Sequence, residues 1–179
     1  MNHRALNVSL QSAFLRSFRR AVTAIDSRFF RVMVAGSDRT FFRERVYCYE
    51  LYHQLRSILK GFPLTIYGEV DKSGHPRRAE RRIPDFVVHD PGDDKLNLVI
   101  VEVKSTQSKR GAFLKDIDTV NRYVESYGYR CGILLLVGKR LPKRFLSDFD
   151  DLIERRDGSI VMLWHENCNQ PPVRVRPSL

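Results

Sequence analysis

IPDFVVHDPGDDKLNLVIVEVKS, residues 83–105, is the stretch whose reading decides the fold. It reads as two strands joined by a turn. The first, Ile83 to His89, is apolar apart from Asp85 near its start. Asp90-Pro91-Gly92-Asp93-Asp94 supplies the reversal, since proline presets one φ and glycine tolerates the positive φ of a tight turn. The second strand, Leu96 to Ser105, is apolar on both faces through Leu96, Leu98, Val99, Ile100, Val101 and Val103, as a central, covered strand would be. Glu102 and Lys104 interrupt that pattern at its far end. Side chains alternate along a strand, so these two point to one face. The hairpin returns the start of the first strand to the end of the second, which sets Asp85 beside Glu102 and Lys104. Two acids and a lysine are costly to leave unpaired in an apolar sheet, and a divalent cation is their simplest partner.

Two carboxylates and a strand carbonyl are hard oxygen ligands, suited to Mg²⁺ with several waters retained. A lysine alongside can orient or deprotonate a metal-bound water, or stabilise charge building on a phosphate. The arrangement Pro84-Asp85, then after a gap Glu102-Val103-Lys104, resembles the PD-(D/E)xK nuclease superfamily, which includes restriction endonucleases, Holliday-junction resolvases and phage-defence effectors. The run Phe42–Arg56, FRERVYCYELYHQLR, is also similar to that of uncharacterised bacterial members.

The resemblance implies a nuclease that uses Mg²⁺, with Mn²⁺ as a substitute, to hydrolyse phosphodiester bonds of nucleic acid, DNA being the expected substrate. Asp85 and Glu102 would hold the metal with the Val103 carbonyl, and Lys104 would position the attacking water. The superfamily's first helix often adds an acid. Two residues qualify: Glu44, in line with that helix's packed face, and Glu50, nearer the following strand. Glu69 is a second-tier ligand. Double-strand cutting by one site per chain would favour a homodimer or a larger defence or recombination assembly. An E-x-K pair also occurs on the solvent face of ordinary strands. The buried strand, the neighbouring Asp85 and the order of the flanking elements weigh against that bland reading.

A formal net charge of +10, from 31 Lys+Arg against 21 Asp+Glu, points the same way, toward a polyanionic partner. Cys48, Cys131 and Cys168 are far apart and form no CxxC pair, which argues for a reducing, cytoplasmic setting without a disulfide framework or zinc site. No apolar run is long enough to span a bilayer, so no membrane partner is expected.

Along the chain, Leu10, Phe14, Phe18, Ala21 and Ile25 recur at helical spacing beside Arg16, Arg19 and Arg20. A packing helix, a DNA-contacting helix and a transit segment compete here, and the wide apolar face favours packing. A second helix is expected from Asp38 to Lys60, capped by Asp38 or Thr40 and stopped at Gly61, with Tyr47, Cys48, Leu51, Leu55, Ile58 and Leu59 inward. Leu64–Val70 reads as a strand. The basic loop before Pro84 places Arg77, Arg78, Arg81 and Arg82 for phosphate contact. Gln107, Lys109 and Arg110 follow the central strand as further contacts, and Asp116 and Asn121 are weaker candidates. A helix to Tyr127, the apolar strand Cys131–Val137, a helix Pro142–Arg156 and a strand Ser159–His165 complete the pattern.

The expectation is therefore an α/β, restriction-endonuclease-like mixed sheet flanked by helices. Its core order is αβββαβ over residues 36–165, with an N-terminal helical segment (1–35), a C-terminal αβ extension and a basic Pro-rich tail (166–179). The rival function is a non-catalytic nucleic-acid-binding or assembly domain that keeps the fold.

Overall fold

In the computed structural model, which describes residues 3–70, 82–153 and 159–175, one six-stranded mixed sheet carries helices on both faces. The elements are α1 (His3–Thr23), α2 (Ser27–Phe30), β1 (Val32–Met33), β2 (Thr40–Phe41), α3 (Glu44–Ile58), β3 (Thr65–Gly68), β4 (Phe86–Asp90), β5 (Asp93–Ser105), α4 (Arg110–Tyr127), β6 (Cys131–Val137), α5 (Lys143–Ile153), β7 (Ile160–His165) and β8 (Val173–Val175). The strands lie in the order β3-β4-β5-β6-β7-β8. β3, β4 and β5 are antiparallel neighbours, β5, β6 and β7 are parallel, and β8 closes the far edge antiparallel to β7. Helix, three strands, helix, strand is thus the order found from α3 to β6.

The local reasons are those read from the sequence. Pro91 and Gly92 turn β4 into β5, with Gly92 at φ 90°. β5 starts at Asp93, earlier than its apolar run, because Asp93 pairs back on Asp90. α4 is the crossover that a parallel β5–β6 pair needs, and Gly128 in the left-handed region ends it. A Cβ at Gly132 would lie 2.2 Å from Val120 Cγ1, so α4 approaches β6 as closely as only glycine allows.

Alternation on β5 divides the core. Val99, Val101 and Val103 pack with Phe14 and Phe18 of α1 and Leu51 and Leu55 of α3. Ile100 packs on the other face, with Phe113 and Val120 of α4 and Phe145 of α5. Glu102 and Lys104 share the parity of Ile100, hence the α4 face.

Two expectations are corrected. Residues 40 and 41 pair with 33 and 32 as a small ribbon, so α3 begins at Glu44 and its N-cap, Arg43, makes no side-chain cap bond. The C-terminal stretch is not a tail throughout, because Val173–Val175 pairs with Met162–Trp164. Trp164 is half-buried, and its indole donates to the Gly138 carbonyl at 2.7 Å. The N-terminal segment packs as expected: Phe14, Phe18, Ala21 and Ile25 are wholly buried in the main core. Among the described residues no helix is long and apolar enough to cross a membrane.

Candidate active site

Asp85 stands one residue before β4, opposite Glu102, because Phe86 pairs with Val101. The Val103 amide donates to Asp85 Oδ2 at 2.7 Å. A strand residue's N–H and C=O point to the same edge, so the Val103 carbonyl is directed to the Asp85 side as well. Glu102 is buried on the α4 face. Two residues on, Lys104 Nζ lies 3.0 Å from Glu44 Oε1 and 3.1 Å from Asp116 Oδ2. Glu44 is the first residue of α3, where the helix dipole favours a carboxylate, and its other oxygen accepts from the Ser105 amide at 3.4 Å. Asp116 comes from α4. Together Glu44, Asp85, Glu102, Lys104 and Asp116 wall a cleft of about 560 Å³, bordered by Arg82, Ile83, Lys115 and Thr119.

Acid outnumbers base at the centre, and the protonation follows. Burial pushes Asp85 up to about 6 against the pull of the Val103 amide. Burial raises Asp116 to about 6 too, despite the adjacent Lys104. Glu102 is raised well above the carboxylate range by burial, with the Asp85 and Asp116 charges adding to it. Burial alone would lower Lys104, but Asp116 and Glu44 outweigh it and hold the ammonium above its ordinary value. Lys104 is therefore a fixed cation at neutral pH, which suits it to stabilising charge and not to removing a proton.

Among the described residues no group of three or more His, Cys, Asp or Glu side chains has an arrangement that would hold a metal ion. Two of the acids are tied up by Lys104. Asp85 and Glu102 remain as a facing carboxyl pair, both raised by burial. Mg²⁺ is commonly held by only one or two carboxylates with water completing its shell. The pair fits that donor set.

Other anticipated residues are placed differently. Glu50 accepts from Gln54 Nε2 at 2.6 Å and does not line the cleft. Glu69 is not brought to the acids either. It adopts a left-handed φ of 48°, pairs with Arg45 at 3.4 Å and lines a neighbouring pocket, while its amide donates to the Asp85 carbonyl. Arg82 borders the cleft and pairs with Asp118 of α4. Arg77, Arg78 and Arg81 lie outside the described residues. Gln107 and Lys109 are exposed between β5 and α4, whereas Arg110 forks onto Asp148 of α5 at 2.6 Å. Asn121 does not line the cleft.

Asp116 is a stronger member of the site than its weak candidacy in the sequence implies. The signal was present: it lies three residues after Phe113 and four before Val120, on the buried arc of α4, where an acid is out of pattern. No protein-family model, curated protein or solved structure significantly matches this chain.

Proposed function

We propose that this cleft is the centre of a divalent-cation-dependent nuclease of the PD-(D/E)xK kind, acting on nucleic acid and on DNA in particular. The observation that carries the reading is the hairpin register, which sets Asp85 against Glu102 with Lys104 two residues further along the same face. The order α3-β3-β4-β5-α4-β6 and the parallel β5–β6 pair support a restriction-endonuclease-like arrangement.

In this account Asp85 and Glu102 hold Mg²⁺ or Mn²⁺, with the Val103 carbonyl on the same side. The cation, when bound, supplies a Lewis acid for the phosphate and lowers the pKa of its water. Lys104 stabilises negative charge developing on the phosphate. Glu44 and Asp116 fix the lysine from two different helices, so its ammonium does not have to be ordered when substrate arrives. Arg82 and Lys115 at the border offer contacts to flanking phosphates.

The second reading, a nucleic-acid-binding domain without catalysis, draws on a separate feature. Arg16, Arg19 and Arg20 line a groove with Ile58 and Pro171, against α1, whose apolar side packs on the sheet face opposite Glu102 and Lys104. Incubating a supercoiled plasmid and an end-labelled single strand with Mg²⁺, Mn²⁺ or EDTA separates the two. Cation-dependent cleavage supports the nuclease; salt-sensitive binding with no cleavage under any cation favours the second reading.

A further inference from the structure

Beside the cleft lies a second pocket, of about 360 Å³, lined among others by Tyr49, Tyr52, Tyr67, Gly68, Glu69 and Asp85. We propose that it takes an unpaired nucleobase attached to the phosphate on which the cleft acts, an inference that rests on the nuclease reading and narrows its substrate to strands with an unstacked nucleotide at the cut.

Asp85 is the one residue common to the linings of the two cavities. An occupant of the pocket and a phosphate in the cleft would thus be neighbours across Asp85. The walls are aromatic and open. Tyr49 is 62% exposed, large apolar surface left uncovered. Tyr52, half-buried, lies parallel to the buried Phe86, their centroids 6.2 Å apart and planes 8° from each other, which holds the Tyr52 ring in a fixed plane at the pocket wall.

The backbone is arranged to keep the space clear. Gly68 is not needed for its conformation, because a Cβ there would meet only the Asp85 carbonyl and the Phe86 ring at 3.6–3.8 Å, ordinary contact. Its effect is to leave room. Glu69 follows with a left-handed φ that is unusual for a side-chain-bearing residue, and such strain gathers at functional positions. Through its ion pair with Glu69, exposed Arg45 stands at the rim, a cation where the backbone of a bound strand would leave the pocket. A base in a duplex reaches such a pocket only by leaving its stack, so the site favours single strands, flaps or mispaired ends.

The test uses a single-stranded oligonucleotide containing 2-aminopurine, whose emission falls on stacking, in EDTA so that cleavage is not required. The wild type should quench it and bind it more tightly than the matched duplex. Gly68→Leu, which fills the pocket, and Tyr49→Ala, which removes an exposed wall, should each weaken single-strand binding about five-fold or more and leave duplex binding unchanged. With Mg²⁺ added, both should lose preference for single-stranded over duplex substrate. Unchanged single-strand affinity and quenching in Tyr49→Ala and in folded Gly68→Leu would overturn the pocket, even if the protein cleaves. Quenching that both substitutions abolish, without any cleavage, would uphold the base site and count against the nuclease.

Discussion

The Val103 amide donates to Asp85 Oδ2 at 2.7 Å, so the first acid of the cleft is pinned to the backbone beside the second acid, Glu102. Asparagine at position 85 keeps an acceptor for that amide and removes a carboxylate that burial has raised to about 6. Asp85→Asn should therefore fold at least as stably as the wild type at pH 8, by up to about 2 kcal/mol, while losing divalent-cation binding and cleavage. Thermal denaturation together with Mn²⁺ titration checks both halves.

The raised carboxyls set a pH dependence. Asp85 and Asp116 titrate near 6 when folded, against about 4 for an unfolded chain. Between those values the folded protein retains protons that the unfolded chain has released, so stability falls as pH rises. The contribution is complete below pH 4 and lost through about pH 6, on the order of 2 kcal/mol for each group. Glu102 extends the decline upward. In EDTA the melting temperature should fall from pH 4 to 7, less steeply in Asp116→Asn, and Mg²⁺ should restore more of it the higher the pH, because the cation binds the deprotonated Asp85–Glu102 pair. Calorimetry across that range, with and without Mg²⁺, reads the slope directly.

Glu44 and Glu50 lie on the same helix, yet only Glu44 touches Lys104. Glu44→Gln should slow cleavage about ten-fold or more by freeing the ammonium, whereas Glu50→Gln should leave the rate within two-fold of about the wild-type value. Rates measured at saturating Mg²⁺ distinguish positioning of Lys104 from a weakened cation site.

Asp116 lies one turn before Val120 on α4, the residue that packs on β6 over Gly132. A methyl there would collide with Val120. Gly132→Ala should cost about 1–3 kcal/mol by overpacking, and should also reduce cleavage as Asp116 moves off the lysine. Urea denaturation and a rate measurement on the same sample test the link.

The hairpin was legible because its signals are local: a Pro-Gly reversal, an unbroken apolar strand, and two charged residues at one end of it. β6 was legible for the same reason, being wholly apolar and set off by Gly128. The start of α3 was not, since Asp38 and Thr40 are better capping residues than Arg43, and nothing nearby shows that residue 40 is taken by a ribbon with residue 33. Nor could helical periodicity choose between Glu44 and Glu50. That choice depends on a contact with Lys104, sixty residues away in the chain. β8 hid behind Pro171 and Pro172, although Val173-Arg174-Val175 has the alternation of a strand. Glu69 looked like a ligand from strand pairing alone; its left-handed turn and its pairing with Arg45 carry the carboxylate elsewhere.

The most direct test of the central claim is nicking of supercoiled plasmid in Mn²⁺ by the wild type and by Glu102→Gln, each shown to be folded by its melting temperature. Glutamine matches the shape of Glu102 and cannot ionise in a site where burial already disfavours the charged form, so the variant should be no less stable at neutral pH. The wild type should nick only with the cation, and Glu102→Gln should not nick at all. Nicking by Glu102→Gln at the wild-type rate would contradict the central claim, because the acid at the centre of the cleft would then have no part in the chemistry.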